Sequence, residues 1–415
     1  MSSRSDTATQ APRLTVVLAL LSTLGPFTID TFFPSMRAMA AEFGISYWQV
    51  QQTLTAYLVP YAFMSLVHGS LADALGRRRV VIVGLLLYVV ASVGCVLAPG
   101  FAALLVFRGL QGAVGGVGFI VSRAVVRDCY SGVQAQRVMS AITMVFSLGP
   151  ALAPIIGGWV HVWFGWRAVF AVMAIYGLLL SLLVIRKLPE TLPVAQRTPL
   201  HLGASIGNTL AIARHPEFLR LTAASGLCFI ALHTYIGAAP AIILDHWHMT
   251  ETGFAALTLP IIGGYAIGAF FSGRLAGRLL PERQAGIGYA LLLFTTAAML
   301  ALQLLVSKPP IIAQQLLLAS TAVGLQLMFP IVTLRILDIF SATRGTAASV
   351  HSFFSLLLGA IMMGALAPWL SASMTRLAIS ALLVNFAGFL VWRSALRQRR
   401  RGCAAPFDQL LSERS

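Results

Sequence analysis

Between the apolar runs Trp48 to His68 and Val80 to Leu97 stands the stretch Gly69-Ser70-Leu71-Ala72-Asp73-Ala74-Leu75-Gly76-Arg77-Arg78-Arg79. Each flanking run holds about 20 residues, enough to cross roughly 30 Å of hydrocarbon. The link is short, carries two glycines that suit a tight reversal, and ends on three arginines that cannot follow the apolar runs into oil. It reads as the water-exposed turn of a transmembrane helical hairpin, with Asp73 placed to cap or face the positive end of a neighbouring helix.

The same alternation of apolar run and polar turn fills the chain. Further spans are expected near Leu14 to Phe33, Phe101 to Val126, Val138 to Val160 and Trp166 to Ile185, then near Leu219 to Leu244, Phe254 to Ser272, Ala285 to Val306, Ile311 to Leu337, Gly345 to Trp369 and Arg376 to Trp392. The fold class is an all-α membrane protein of twelve transmembrane helices. Of 415 residues, 58% are hydrophobic and 10% charged, where a soluble domain carries roughly 25% charged residues. Met1 to Arg13 is polar and no small-residue cleavage site follows, so the first apolar run is expected to remain as span 1.

The connector from Arg186 to Glu217 carries Pro189, Pro193, Pro199 and Pro216 among mixed charges and is expected to be a cytoplasmic loop. It divides the chain into a tail (1–13), a six-helix bundle (14–185), a linker (186–218), a second six-helix bundle (219–395) and a tail (396–415). With the N-terminus inside, 24 Lys and Arg fall on the inner side; Arg37, Arg167, Lys308 and Arg376 fall outside, and Arg108 alone lies deep within a span, the others standing in loops or at span ends. That asymmetry predicts cytoplasmic termini and a bacterial inner membrane. The net charge of +16 serves orientation in the membrane rather than nucleic-acid binding. Cys95, Cys129, Cys228 and Cys403 show no metal or disulfide spacing.

A lone Arg108 at membrane depth costs at least about 2.5 kcal/mol and needs a partner. Asp30 is the one carboxylate inside a predicted span. At 1.5 Å per residue, Asp30 lies roughly 6 Å and Arg108 roughly 10 Å below the outer boundary, so the two are expected to pair. The halves echo each other as a parallel pseudo-repeat: Gly273-Arg274-Leu275-Ala276-Gly277 occupies in its half the place of Gly69 to Asp73.

These residues resemble the major facilitator superfamily, and within it the drug:proton antiporters of the bicyclomycin-resistance (Bcr/CflA) group. The loop Gly69, Asp73, Gly76, Arg77, Arg78 is similar to the signature loop that latches the halves. Arg108, Gln111 and Gly112 are similar to the RxxQG motif. Gly149, Pro150, Pro154, Gly157 and Gly158 are similar to the span 5 motif of exporters. Gly25-Pro26-Phe27-Thr28-Ile29-Asp30, and Arg123 with Arg127 and Asp128, resemble segments of the Bcr/CflA group. The second loop copy departs at Gly277, which stands where an aspartate is usual, so the first half is expected to carry the latch alone.

The resemblance implies a proton-coupled exporter of drugs or small amphipathic molecules, acting as a monomer by alternating access, with Asp30 and Arg108 exchanging a proton against substrate. The proton gradient is the driving force, and no cofactor, metal or nucleotide is expected; no GxxxxGK[ST] stretch occurs. Candidate substrate contacts are Tyr57, Phe146, His233, Tyr235, Gln326, Phe353 and Asn385; His351 is a further histidine within a span, and Asp245 to His248 is an outer-loop metal candidate. A metabolite importer or exporter on the same fold and a non-transporting sensor stay open. A membrane-embedded enzyme would show HExxH or paired intramembrane acids, and neither is present.

Overall fold

Backbone polar groups in lipid have no water to bond, so each spanning segment must satisfy them internally. The chain does this with helices. The computed structural model describes residues 14–130, 132–197, 202–276, 278–340 and 343–400; the expected N-terminal tail, the expected C-terminal tail beyond residue 400 and Gly277 lie outside them. Among the described residues there is no strand, only an isolated bridge between Ala276 and Leu279.

In chain order the helices are α1 (Leu14–Phe43, interrupted by a 3-10 turn at Phe33–Ser35), α2 (Tyr47–Ser65), α3 (His68–Leu75), α4 (Arg77–Leu97), α5 (Phe101–Gly115), α6 (Val117–Cys129), α7 (Gly132–Phe164) and α8 (Trp166–Lys187). They continue as α9 (Leu202–Arg214), α10 (Pro216–Gly237), α11 (Ala255–Leu275), α12 (Pro281–Leu305), α13 (Ile311–Ile339), α14 (Arg344–Leu370) and α15 (Met374–Arg400). Among the described residues, ten segments are long and apolar enough to cross a bilayer, and eleven when α2 and α3, bent by 52°, count as one span. The remaining expected span falls in α7, whose described apolar stretch is Leu152–Phe164.

Local chemistry sets several boundaries. Ser46 and Gln49 form a reciprocal capping box that starts α2, with Ser46 N donating to Gln49 Oε1 at 2.9 Å and Gln49 N to Ser46 Oγ at 3.3 Å. Gly44, at φ +63°, ends α1 in the left-handed conformation that favours glycine. The connector, expected as loop throughout, contains α9. The prolines bound this segment rather than interrupt it, and Ile212 in its last turn is buried.

The chain divides into two compact units, residues 1–200 with Thr250–Ala255, and residues 201–249 with 256–415. In the first, α4 packs on α8 and α2 on α5; in the second, α12 packs on α13 and α10 on α15. Lipid supplies no hydrophobic drive between helices, so close approach at small residues carries the packing. A β-carbon on Gly112 would fall onto the Tyr57 carbonyl, and one on Gly264 onto that of Ala319. Gly288 and Gly324 face each other, each β-carbon position lying 2.7–3.0 Å from the other's carbonyl.

Gly112→Val and Gly264→Val should each destabilise the protein by about 1–3 kcal/mol through overpacking, read as an earlier thermal unfolding in detergent. Gly263→Ala, where nothing lies within 4 Å of the new methyl, should not unfold earlier.

Candidate functional site

Arg108 lies on α5 with no exposed surface. Its guanidinium carbon sits 4.4 Å from the Phe32 ring centroid, 4.7 Å from that of Tyr57 and 5.9 Å from that of Phe170, so α1, α2 and α8 each offer an aromatic face. Nε donates to the Thr53 carbonyl at 3.3 Å and Nη1 to Gln111 Oε1 at 2.9 Å. Gln111 in turn donates from Nε2 to Ser92 Oγ on α4 at 2.7 Å. The expected ion pair with Asp30 is not formed. Aromatic faces, each worth about 2 kcal/mol or more when desolvated, a carbonyl and an amide hold the cation where a carboxylate was expected. Nη2 keeps no hydrogen-bond partner.

Asp30 is also buried, 6% exposed, and closes the helical segment Leu24–Asp30 just before the 3-10 turn. Among the described residues it has no ion-pair partner. Its neighbours in sequence anchor α1: Thr28 Oγ1 lies 2.6 Å from Tyr88 Oη of α4, and Phe27 packs against Tyr176 with ring centroids 5.0 Å apart.

The glycine-proline segment of α7 lies along this part of α1. A β-carbon on Gly149 would be 3.0 Å from Pro26 Cβ, and one on Gly157 would fall onto the Thr31 carbonyl, one residue past Asp30. Pro150 and Pro154, inside α7, each remove a backbone donor. Gly158 faces the Glu251 carbonyl, 2.5 Å from its β-carbon position. Two motifs far apart in sequence thus form one seam, closely packed beside the buried acid.

The loop motif builds a second polar cluster. Arg77, its side chain 7% exposed, pairs with Asp73 at 2.5 Å and, through Nε, with Asp128 Oδ2 at 3.1 Å. Asp128 also accepts from Thr191 Oγ1 at 2.9 Å. Glu190 accepts from the backbone N–H groups of Arg77 at 2.9 Å and Arg78 at 3.3 Å, so it, rather than Asp73, caps a helix here, at the start of α4. Arg78 Nη2 donates to the Ile185 carbonyl at 2.7 Å. The reversal is made by Gly76 alone, at φ +98°; a β-carbon there would be 2.5 Å from Glu190 Oε2. Gly69, expected as the other turn glycine, sits inside α3 with nothing within 4 Å of its β-carbon position. Arg127 is exposed in the last turn of α6. Glu190 and Thr191 escaped the sequence reading, although an acid directly after a span in a basic connector is a usable signal.

The candidate substrate contacts each take a place within their own unit. Tyr57, Tyr235 and Asn385 are buried within their units, and Tyr57 belongs to the Arg108 enclosure. Phe146 packs on Phe119 with centroids 4.8 Å apart, under whose ring face Arg123 lies 4.0 Å away. Gln326 Cβ supports α11 at Gly268, 2.8 Å from the β-carbon position. Phe353 packs on Phe354 at 5.4 Å, and His233 on Phe229 at 3.7 Å. Of the outer-loop metal candidate, His246 Nε2 bonds the Ser371 carbonyl at 2.8 Å, and no group of three or more metal-ligating side chains is found among the described residues.

Gly76→Ala should destabilise the loop, whereas Gly69→Ala should be neutral or stabilising by about 0.5–1 kcal/mol; protease cutting near Arg77 in membranes distinguishes them. Glu190→Gln should weaken the cap of α4 by about 1 kcal/mol, raising amide exchange over Arg77 to Val80 and leaving α5 unchanged.

Residues 17–364 match the Major Facilitator Superfamily. The chain is 30% identical over 296 residues to the MFS-type transporter YdgK of Bacillus subtilis (strain 168), covering 70% of this chain and 73% of that protein. It is likewise 30% identical over 276 residues to a bicyclomycin resistance protein homolog of Haemophilus influenzae, covering 66% and 69%. In fold it is similar to a crystal structure of the peptide transporter POT in complex with sulfate, with a TM-score of 0.73 at 16% identity over 94% of each chain. The α-helical spans, the signature loop and these similarities agree: the chain belongs to the Major Facilitator Superfamily of membrane transporters.

Proposed function

We propose that this transporter exports drugs or small amphipathic molecules across a bacterial inner membrane in exchange for protons. The observation that carries this reading is the seam in which Gly149 and Gly157 of α7, the exporter-like segment, lie against Pro26 and Thr31 on either side of Asp30. A carboxyl held beside a proline-softened, glycine-packed interface responds to small shifts in that interface, because its charge is tolerated only with a partner or with water. Asp30 takes up and releases the proton. Arg108, with Nη2 unpartnered, is the cation toward which the deprotonated carboxylate is drawn when the seam moves. The name of the bicyclomycin-resistance relative supports export of a drug-like cargo.

The arginine asymmetry supports a reading in which both termini, the Arg77 cluster and the connector face the cytoplasm, and in that reading the working unit is a monomer. One proton moving down 100 mV supplies about 2.3 kcal/mol, enough to hold a neutral cargo at a gradient of roughly fifty-fold.

Accumulation of fluorescent dyes and antibiotics in cells, with and without a protonophore, tests this. Wild type should keep accumulation several-fold lower until the protonophore is added, and Asp30→Asn should accumulate like cells without the transporter. Undiminished efflux by Asp30→Asn contradicts the assigned coupling residue; uptake rather than loss of cargo contradicts export.

A further inference from the structure

Four rings of the second unit form a continuous ladder with no part in the coupling reading. On α10, Thr222, Gly226, Phe229 and His233 recur at intervals of four, three and four residues, which sets them on one helix face. His233 stacks on Phe229, centroids 3.7 Å apart and planes at 21°. Phe229 lies 5.7 Å from Phe329 of α13, and Phe329 lies 6.1 Å from His351 of α14. A β-carbon on Gly226 would stand 3.2 Å from Leu358 of α14, so this face of α10 is turned toward α14.

Each imidazole is held by one nitrogen only. His233 Nδ1 lies 2.8 Å from the Phe229 carbonyl; a carbonyl only accepts, so Nδ1 carries the proton and Nε2 is left as an acceptor in the neutral ring. His351 Nδ1 pairs with Thr222 Oγ1 at 3.3 Å, while its buried Nε2 has no partner and the residue is 6% exposed. Core packing alone would be served by leucine, without the cost of an unpaired buried nitrogen. Phe229, His233 and Phe329 are half-buried, so the ladder keeps an open edge. From Thr222, the partner of His351, to His233 this face runs eleven residues along α10, about 16 Å, a drug-sized length.

We propose that this ladder is a substrate-recognition face for flat aromatic molecules bearing an N–H or O–H donor. Phe229 and Phe329 supply the stacking surface, and His233 and His351 the hydrogen bonds. The inference rests on the export reading and narrows its cargo to a class.

Binding measured on the purified full chain in detergent separates the two readings, because it does not require transport. Ethidium is flat and carries aryl amines; tetraphenylphosphonium has the same charge but is a propeller with no donor. Wild type should bind ethidium. Phe329→Leu and His233→Leu should each weaken ethidium about tenfold while changing tetraphenylphosphonium less than twofold. Phe329→Tyr, which keeps the ring, should retain ethidium affinity and guards against simple misfolding of the leucine variants. Equal losses for both probes, or no loss for either, overturn the ladder as a selective face. Wild type that exports antibiotics but does not bind ethidium also overturns it and leaves export standing. Wild type that binds ethidium with these selectivities but exports nothing contradicts export and supports the face.

Discussion

A guanidinium in oil must be solvated by protein, and the first unit is arranged around that requirement. Arg108 draws an aromatic ring from α1, α2 and α8, a carbonyl from α2, and an amide that itself bonds a serine of α4. Four helices besides its own therefore meet at one side chain or its hydrogen-bond partner. Removal of any ring or of the Gln111 bridge would leave charge uncompensated in a medium where compensation is scarce. Gly112 follows from the same demand, since only a residue without a β-carbon lets α5 approach the Tyr57 carbonyl and keep Arg108 in reach of Thr53.

The acid and the arginine are held apart as two separately buried groups. That arrangement suits a coupling device better than a permanent ion pair, because a locked pair has no proton to exchange and little reason to move. In the proposed coupling, the seam of α7 on α1 is the route for movement, with its glycines in close contact and its prolines each lacking a backbone donor. At the loop end of the same unit, Arg77, Asp73, Asp128, Thr191 and Glu190 tie the start of α4 to the end of α6 and to the segment after α8. Buried charge is satisfied there by carboxylates, whereas at Arg108 it is satisfied by rings and dipoles.

Much of this was legible in the sequence. Apolar runs of span length gave the helices because lipid permits little else, and the loop, RxxQG and glycine-proline motifs were recognisable from residue type and spacing. What escaped depends on contacts between distant segments. A single acid and a single base invite pairing on paper, yet Phe32, Tyr57 and Phe170 are ordinary aromatic residues until the fold sets them around Arg108. Gly69 and Gly76 look equivalent in the loop, but only Gly76 has the positive φ and the neighbouring Glu190. The helix Leu202–Arg214 was hidden because prolines on both sides suggested a loop, although thirteen residues between them suffice for three turns.

The central claim is that Asp30 is protonated in one state and gives up that proton as substrate binds. Proton release into weakly buffered solution, followed with a pH indicator as a transported drug is added to purified protein, tests it directly. Wild type should release close to one proton per bound drug, and Asp30→Asn should bind drug with no release. Equal release from both proteins would place the coupling proton elsewhere and contradict the account.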